Sequence, residues 1–328
     1  EVMGPIEKLL ATSGEDNRIE VGREILAEAS VGVVIPFERR MQGSETIMKG
    51  VFKVLRPGVR QRVLEELTIL EETAHFFEAH RERYPLENFQ FLDLFREVRH
   101  RLAREIDVRA EQHHLASAVR FYGSRPDIAI PERLPFSTAT VTAMTYLAGT
   151  KITDAEMKAP ERCRVATQLF DALVCQPLFS RDQASLFHGD PHAGNILAIR
   201  NAETGRLRIG LVDWSLAGQL SKSDRVRSAQ LIQAVFKNDM SGIRRVVMAL
   251  NQGPAMEVHQ RRRFRKRLVH LMRTSDFADR PLIDRSFKLL EHLALEGFVF
   301  PADLMLFGKA IFTLEGVLFD LWPQFDMD

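Results

Sequence analysis

Residues 188–195 read His-Gly-Asp-Pro-His-Ala-Gly-Asn, and residues 211–214 read Leu-Val-Asp-Trp. The first stretch contains Asp190 and Asn195, and the second contains Asp213. Kinase-type phosphoryl transfer uses one carboxylate to orient the attacking hydroxyl, and an amide oxygen and a second carboxylate to hold Mg²⁺. Because Mg²⁺ prefers oxygen ligands, an asparagine and an aspartate suit it. The spacing therefore predicts Asp190 as the catalytic carboxylate, and Asn195 and Asp213 as metal ligands.

Two short, mostly apolar runs flank a polar turn just after this loop. The runs are residues 196–199 and 207–212, and residues 201–205 between them read Asn-Ala-Glu-Thr-Gly, which is typical of a turn. The pattern predicts a β-hairpin with Asn195 at its entry and Asp213 at its exit. The alternative is that these polar residues only cap a loop and end a strand. Three such groups at these spacings favour the metal-binding interpretation.

A lysine lies inside an apolar run in the first part of the chain. Residues 51–55 read Val-Phe-Lys-Val-Leu, and Arg-Pro-Gly follows them. A buried ammonium group needs a partner, because burying an unpaired charge is costly. The simpler alternative is a lysine on an edge strand that extends to water. Since the downstream motif is present, the pattern favours Lys53 as the group that binds the nucleotide phosphates.

The carboxylate that would pair with Lys53 is not fixed by spacing. Asp107 and Glu111 lie in a helical pattern from about residue 92 to residue 119, so they are expected to share a helix face. An arginine-rich, solvated helix face is the alternative interpretation of that stretch. Four glutamates of the preceding predicted helix, residues 57–83, compete for the lysine: Glu65, Glu66, Glu71 and Glu72.

These motifs together resemble those of the UbiB (AarF/ADCK) family of atypical, protein-kinase-like proteins. Residues 52–59 resemble the strand-lysine element of that family, and residues 105–107 with Glu111 resemble its Glu-x-Asp motif and downstream glutamate. Residues 188–195 resemble its His-x-Asp-Pro-His-x-Gly-Asn loop, and residues 308–323 resemble its terminal Leu-Glu-Gly-Val segment. The loop alone is less specific, because small-molecule phosphotransferases of the aminoglycoside and choline kinase type share it.

The resemblance implies an α+β, bilobal protein-kinase-like fold. Residues 1–148 would form a small β-containing N-lobe with long helices, and residues 149–328 a mainly helical C-lobe. The resemblance also implies that ATP and Mg²⁺ are the cofactors, and that the activity is that of a kinase or ATPase. It further implies a role in ubiquinone or other isoprenoid-lipid metabolism at a membrane, with a lipid or quinone-pathway small molecule as partner.

The resemblance also assigns the nucleotide contacts. Lys53 would contact the phosphates and pair with Glu111, while Ser30 and Gly32 would belong to the loop over the phosphates. By analogy with kinases, the backbone from Thr145 to Leu147 would meet the adenine.

Two departures from the family pattern affect these expectations. The loop over the phosphates has Glu28, Val33 and Ile35 where the family usually has other residues. A glutamate near the triphosphate would repel it unless the carboxylate points away or meets a cation. The upstream Lys-x-Gly-Gln motif of the family is also absent from the sequence. A member with a different substrate is therefore an open alternative.

The composition limits which partners and which cellular location are expected. A net charge of +1 provides no bulk attraction to nucleic acid, and no nucleic-acid partner is expected. Two cysteines are too few for a disulfide framework and are consistent with a reducing compartment. No run of eighteen apolar residues is present, so a cytoplasmic or peripheral-membrane location is expected. The basic residues 261–267 could attract anionic lipid headgroups, although a solvated helix face is the favoured alternative.

Three functions compete at this point. The leading one is an ATP- and Mg²⁺-binding kinase-like enzyme that hydrolyses ATP or phosphorylates a small or lipid-like acceptor. The second is a pseudokinase that binds nucleotide and regulates a partner, which Glu28 favours. The third is a soluble small-molecule phosphotransferase, which the loop motif favours and the matches outside the loop oppose.

Overall fold

The computed structural model places most of the chain. The described residues are 2–15, 18–28, 31–41, 46–80, 99, 102–103, 106–253, 258–272, 274, 277 and 280–327, with the backbone alone for residues 258–263. Ser30, Glu105 and the first part of the predicted helix at residues 92–119 therefore lie outside the described residues.

The helices and strands follow in chain order. They are α1 (Met3–Ser13), β1 (Ile19–Val21), β2 (Ala27–Glu28), β3 (Gly32–Arg40), β4 (Ile47–Leu55), α2 (Val59–Ala79), α3 (Val108–Tyr122), β5 (Ile128–Ala129), β6 (Val141–Thr145), β7 (Thr150–Lys151), α4 (Ala159–Phe170), a π-helical segment (Asp171–Cys175), α5 (Gln176–Phe179), β8 (Ala184–His188), a 3₁₀ turn (Ala193–Asn195), β9 (Ile196–Arg200), β10 (Leu207–Leu211), β11 (Ala217–Ser221), α6 (Lys222–Phe236), α7 (Met240–Leu250), α8 (Val258–Leu271), α9 (Leu282–Leu295) and α10 (Ala302–Leu321).

These elements belong to two compact units that interleave along the chain. The first comprises Glu1–Arg120, Ile130–Ala148 and the short segment Asp213–Leu216. The second comprises Phe121–Ala129, Gly149–Val212 and Ala217–Asp328. The functional lobes divided between residues 148 and 149 stay a prediction.

The first unit is built on an antiparallel sheet in the order β1–β3–β4–β6, with β2 also paired to β3. Valine, isoleucine and phenylalanine fill β3 and β4, and such residues suit a pleated, half-buried surface. Phe52 and Val54 point into a core that includes Leu9 of α1, and the rings of Phe37 and Phe52 stack 4.3 Å apart. Because side chains alternate along a strand, Lys53 lies on the opposite face of the sheet.

A glycine marks the change from β4 to α2. Gly58 precedes the first residue of the helix and has a φ of 74°, in the left-handed region that favours glycine. Pro57 cannot continue the ladder of the strand, since it has no backbone N–H. The Arg-Pro-Gly sequence therefore ends the strand and begins the helix, as the sequence predicted.

The second unit combines helices with two small sheets. One sheet has the order β5–β10–β9–β7, and the other pairs β11 with β8. The rings of Phe187 on β8 and Phe307 on α10 lie 5.1 Å apart in the core of this unit. The buried hydroxyl of Tyr122 donates to the carbonyl of Ala172 at 3.1 Å.

The structure confirms the predicted hairpin. Strands β9 and β10 pair antiparallel, with Leu211 opposite Ile196. The mainly helical region predicted for residues 149–328 also contains a second sheet, because β8 and β11 pair antiparallel. Five-residue apolar runs do not distinguish a strand from a helix. The helical pattern from residue 92 is interrupted in its described part: residues 99, 102 and 103 are helical, Ile106 and Asp107 are not, and α3 begins at Val108.

Among the described residues, no helix is both long enough and apolar enough to cross a membrane.

Candidate nucleotide and metal site

Lys53 connects two acidic side chains of the first unit. Its Nζ lies 2.6 Å from Oε1 of Glu111 and 2.9 Å from Oδ1 of Asp213. The lysine lies on β4, the glutamate in the first turn of α3, and the aspartate in the short segment after β10. Side-chain exposure is 14% for the lysine and 9% for the glutamate, so this is a buried ion pair. Of the glutamates that spacing left open, Glu111 is the one found beside Lys53.

The three charges perturb one another. Burial by itself lowers the pKa of Lys53, but the charges of Glu111 and Asp213 outweigh burial, and the pKa is raised above its usual value. Burial raises the pKa of Glu111, and Lys53 only partly opposes this. Burial also acts to raise the pKa of Asp213, but Lys53 and hydrogen bonds from Ser215 lower it to about 2. With both carboxylates ionised, one cation faces two anions, and the excess negative charge suits a divalent cation.

Asp213 is held in an unusual backbone conformation. Its φ is 58°, in the left-handed region that aspartate tolerates better than most residues. Its Oδ1 accepts hydrogen bonds from the Ser215 hydroxyl at 2.7 Å and from the Ser215 N–H at 3.2 Å. The next residue, Trp214, is buried, and its carbonyl lies 3.1 Å from Nδ1 of His114 on α3.

Asp107 does not share a helix face with Glu111, which corrects the expectation from their spacing. Its Oδ1 accepts a hydrogen bond from the N–H of Ala110 at 3.0 Å, and the residue lies just before the start of α3. Aspartate favours this position because its side chain satisfies a backbone donor of the first helical turn. The cap fixes where α3 begins and therefore where Glu111 lies.

The loop at residues 188–195 is held by neutral hydrogen bonds within the second unit. His188 is buried, with Nε2 lying 3.0 Å from the carbonyl of Val212 and Nδ1 accepting from the N–H of Asp190 at 3.2 Å. A carbonyl only accepts, so the proton is assigned to Nε2. Nδ1 of His192 accepts from the N–H of Gly194 at 3.0 Å, and its Nε2 lies 3.9 Å from Oδ2 of Asp190.

Asn195 is held in place through its amide nitrogen and its backbone carbonyl. The residue is 8% exposed, its Nδ2 donates to the carbonyl of Asp190 at 3.1 Å, and its own carbonyl accepts from the N–H of Val212 at 3.0 Å. Because the amide nitrogen makes this bond, the amide oxygen faces away from it. Oxygen donors of this kind suit Mg²⁺, so the residues present fit the metal that the sequence implies.

The phosphate-loop residues have contacts of their own. A Cβ on Gly32 would lie 2.9 Å from the carbonyl oxygen of Val54, so the close approach of β3 to β4 requires glycine here. Glu28 meets a cation: its Oε2 lies 2.7 Å from Nη2 of Arg56. Both side chains are largely exposed. The charge that would repel a triphosphate is therefore paired.

The segment predicted to meet adenine follows β6. The N–H groups of Thr145 and Tyr146 donate to the carbonyls of Glu132 and Lys49, at 3.0 and 3.1 Å. A cavity of about 630 Å³ in the first unit is lined by residues that include Leu26, Lys49 and Tyr146. Lys49 and Lys53 lie on one face of β4, because side chains two and four residues apart point the same way.

The basic run lies on α8 in the second unit. Lys266 is exposed, and Nε of Arg267 lies 2.8 Å from Oε1 of Glu296. The run is thus part of a helix, which agrees with the interpretation of these residues as a helix face. At least one of its charges is paired within the protein.

Two residues of this site had no prediction from sequence. Ser215 had a weak signal, since a serine two residues after an aspartate often bonds its side chain. His114 had none, because its partner Trp214 is 100 positions away in the sequence.

Residues 13–247 match the ABC1 atypical kinase-like domain. AarF domain-containing protein kinase 1 of Xenopus tropicalis is 26% identical over 253 residues, which are 72% of this chain and 46% of that protein. Probable protein kinase UbiB of Xylella fastidiosa (strain M23) is 24% identical over 284 residues, 84% of this chain and 50% of that protein. The chain thus spans about half the length of these relatives.

The fold has a similar solved structure. The structure of Rv3197 from Mycobacterium tuberculosis in complex with erythromycin has a TM-score of 0.63, over 97% of this chain and 79% of that one, at 16% sequence identity. It supports the predicted α+β, bilobal protein-kinase-like fold. Because the domain match covers well over half of the sequence, the chain belongs to the ABC1 atypical kinase-like family, which includes the proteins named UbiB and AarF.

Proposed function

We propose that this chain is an ATP- and Mg²⁺-dependent kinase-like enzyme, either a phosphotransferase or an ATPase. The observation that carries the proposal is the position of Lys53, whose ammonium group lies within 2.9 Å of both Glu111 and Asp213. A lysine held by a glutamate and set beside an acidic metal ligand is the arrangement that kinase-type phosphoryl transfer uses.

Each group has a role that its chemistry supports. Lys53 would bind the nucleotide phosphates and Glu111 would orient it. Asn195 and Asp213 would hold Mg²⁺, which would neutralise the charge of the triphosphate. Asp190 would orient the attacking hydroxyl or water, and its partial exposure leaves it open to an acceptor. Catalysis would then rest on positioning and charge neutralisation.

The cavity beside Tyr146 is our candidate for the base end of the nucleotide. Four residues of strand, about 13 Å, separate Lys49 at the cavity from Lys53 on the same face of β4. The N–H groups of Thr145 and Tyr146 already make backbone hydrogen bonds. We therefore assign the backbone donor to adenine to Leu147, with Gly32 and Ser30 nearer the phosphates.

The names of the relatives support the biological role that we propose. UbiB is named a probable protein kinase, and support of ubiquinone or other isoprenoid-lipid metabolism is the role we propose. A lipid or quinone-pathway small molecule would be the partner. Contact of residues 261–267 with an anionic membrane surface is part of the same proposal.

Two alternatives remain proposals beside this one. A pseudokinase was favoured by Glu28, but its pairing with Arg56 weakens that argument. One observation favours a small-molecule phosphotransferase: the solved structure of similar fold is a complex with erythromycin. An acceptor-dependent rate would favour this second alternative.

The test is calorimetric titration of MgATP into the wild-type protein and into Asp213→Asn, with phosphate release followed on the same samples. Asparagine keeps the shape and tolerates a positive φ, so the variant removes mainly the charge. Asp320→Asn, an exposed aspartate on α10, is the matched control.

We expect Mg²⁺-dependent binding that Asp213→Asn weakens at least about tenfold and Asp320→Asn leaves unchanged. Binding with phosphate release supports the enzyme. Binding without release, even with candidate acceptors present, would favour the pseudokinase. Absence of binding by folded wild-type protein would refute the proposed function.

A further inference from the structure

One side of α3 contacts the Asp213 segment twice. Glu111 and His114 are three residues apart, so they lie on neighbouring turns of one helix face. Glu111 reaches Asp213 through the shared ammonium group of Lys53. His114 reaches the next residue directly, with Nδ1 lying 3.1 Å from the carbonyl oxygen of Trp214. The helix is thus connected to this segment by an ion pair and by a hydrogen bond to the backbone.

The backbone at Asp213 needs such support. A positive φ costs a residue other than glycine roughly 1–2 kcal/mol, and such a conformation persists only where the surroundings hold it. The carbonyls on both sides of Asp213 meet histidines. Nε2 of His188 lies 3.0 Å from the carbonyl of Val212 within the second unit, and His114 contacts Trp214 within the first.

We propose that His114 is a positioning residue, which holds Asp213 in the geometry that binds the metal ion. The inference rests on the proposed function, since it assumes that Asp213 is a metal ligand. A carbonyl oxygen only accepts, so Nδ1 of His114 carries the proton and donates it to Trp214. Ser215 completes the arrangement by donating two hydrogen bonds to Oδ1 of Asp213. Partners that orient a metal ligand in this way commonly change metal affinity 10- to 100-fold when they are lost.

The test compares three variants. His114→Leu removes the donor, His114→Asn retains a side-chain N–H that can reach a carbonyl, and His113→Leu makes the leucine substitution at the exposed neighbouring histidine. All are made in a Trp322→Phe background, so that Trp214 is the single tryptophan.

Two titrations are measured on each variant. The first is Mn²⁺ alone, followed by quenching of Trp214 emission, because this paramagnetic ion would bind next to the indole. The second is the Mg²⁺ concentration that half-saturates ATP binding, with ATP binding in EDTA as a reference and urea unfolding as a stability check.

We expect His114→Leu to raise the metal concentration for half-saturation at least about tenfold. We expect His114→Asn to restore much of the loss, and His113→Leu to match the parent. ATP binding in EDTA should stay within about twofold of the parent in every variant, because only the metal ligand is displaced. If His114→Leu lowers the stability but leaves both metal titrations unchanged, His114 has a structural role only and the inference fails.

The experiments can refute the role of His114 without refuting the proposed function, and the reverse. If the parent binds ATP with Mg²⁺ but His114→Leu behaves like the parent, the inference is wrong and the proposed function stands. If Mn²⁺ quenches Trp214 in the parent and His114→Leu abolishes this, while ATP does not bind, the inference stands and the proposed function fails. If neither metal dependence nor ATP binding is observed in the parent, both are refuted.

Discussion

The Asp213 segment in the first unit and the loop at residues 188–195 in the second unit are held by different forces. Asp213 takes part in a buried group of charges with Lys53 and Glu111. The loop is held by neutral hydrogen bonds from the rings of His188 and His192 to backbone groups. Both regions carry residues that we propose act on the same nucleotide.

The two regions should respond differently when a charged side chain is removed. Removing one member of a buried ion group leaves an uncompensated charge, so stability depends on every member. In the loop, hydrogen bonds to the backbone of Asp190 hold the chain, and its carboxylate lies 3.9 Å from Nε2 of His192. We therefore expect charge-removing changes to act on stability in the first region and on turnover in the second.

The largest loss of stability is expected for Lys53→Met. The substitution leaves the buried Glu111 and the partly exposed Asp213 without their cation, and breaking a buried ion group typically costs about 3–5 kcal/mol. Urea unfolding followed by circular dichroism measures the loss. Lys49→Met, on the same face of β4 but 68% exposed, is the control and should change stability by less than about 1 kcal/mol.

A further variant sharpens the interpretation of Lys53→Met. Adding Glu111→Gln and Asp213→Asn to it removes the unpaired charges and should recover part of the lost stability. If Lys53→Met unfolds at the wild-type urea concentration, the ion group contributes no net stability and the comparison with the loop fails.

The next effect is expected in the loop, for Asp190→Asn. Orientation or proton transfer by a positioned carboxylate contributes about 10²–10⁴-fold, so phosphate release should fall at least about a hundredfold. The loss of stability should be smaller than that of Lys53→Met, because the hydrogen bonds of Asp190 to His188 and Asn195 use its backbone and are kept in the asparagine variant. Steady-state kinetics and urea unfolding are measured together. A large loss of stability with normal turnover would reverse the contrast between the two regions.

Lowering the pH should remove the stabilising contribution of the Asp213 carboxylate. The pKa of Asp213 is lowered from 3.8 to about 2 in the folded protein, so its ionised form stabilises the fold. At about 1.4 kcal/mol per pH unit, this contribution is at most about 2.5 kcal/mol, and partial exposure of the side chain reduces it. Because the folded pKa is the lower one, the contribution is fully present above pH 3.8 and is lost as pH falls toward 2.

The difference in unfolding free energy between wild type and Asp213→Asn, measured from pH 6 down to pH 2, isolates this contribution. The difference should shrink below pH 4, whereas the corresponding difference for Asp320→Asn should show no such dependence. A constant difference over the whole range would show that the Asp213 charge does not stabilise the fold.

The smallest effect is expected for the exposed pair of Glu28 and Arg56. Exposed ion pairs contribute about 0–1 kcal/mol, so Glu28→Gln should leave stability nearly unchanged. Removal of one negative charge near the phosphate loop should strengthen ATP binding up to about fivefold, which corresponds to about 1 kcal/mol. Calorimetry measures the affinity, with Glu7→Gln at an exposed position of α1 as control. Weaker binding would mean that Glu28 itself supports the nucleotide.

Local patterns predicted the parts of this protein that depend on neighbours in sequence. The hairpin from residue 196 to residue 211 followed from two apolar runs and a turn, and it was confirmed. Asp107 shows the limit of such reasoning, because spacing placed it on a helix face with Glu111, whereas its side chain caps the helix. A helical pattern in the sequence does not fix where the helix begins, because aspartate can occupy either the cap position or a position inside the helix.

Contacts between residues that are far apart in the sequence could not be predicted from it. The bond between His114 and Trp214 joins positions 100 apart, and that of Lys53 to Asp213 joins positions 160 apart. Glu111 was distinguished from four competing glutamates by a family resemblance, whereas the structure places it directly against the lysine. The roles of Asp190, Asn195 and Asp213 in chemistry stay predictions that the experiments above address.

The sequence by itself determined the family, the α+β class and the residues that could carry phosphoryl transfer, because motif chemistry and hydrophobic alternation are local properties. The tertiary structure decided which carboxylates share the charge of Lys53, how Glu28 is neutralised and why Asp213 holds a positive φ. Those outcomes depend on burial and on distances across the fold, since a charge becomes costly, and a partner necessary, only when water is removed from it.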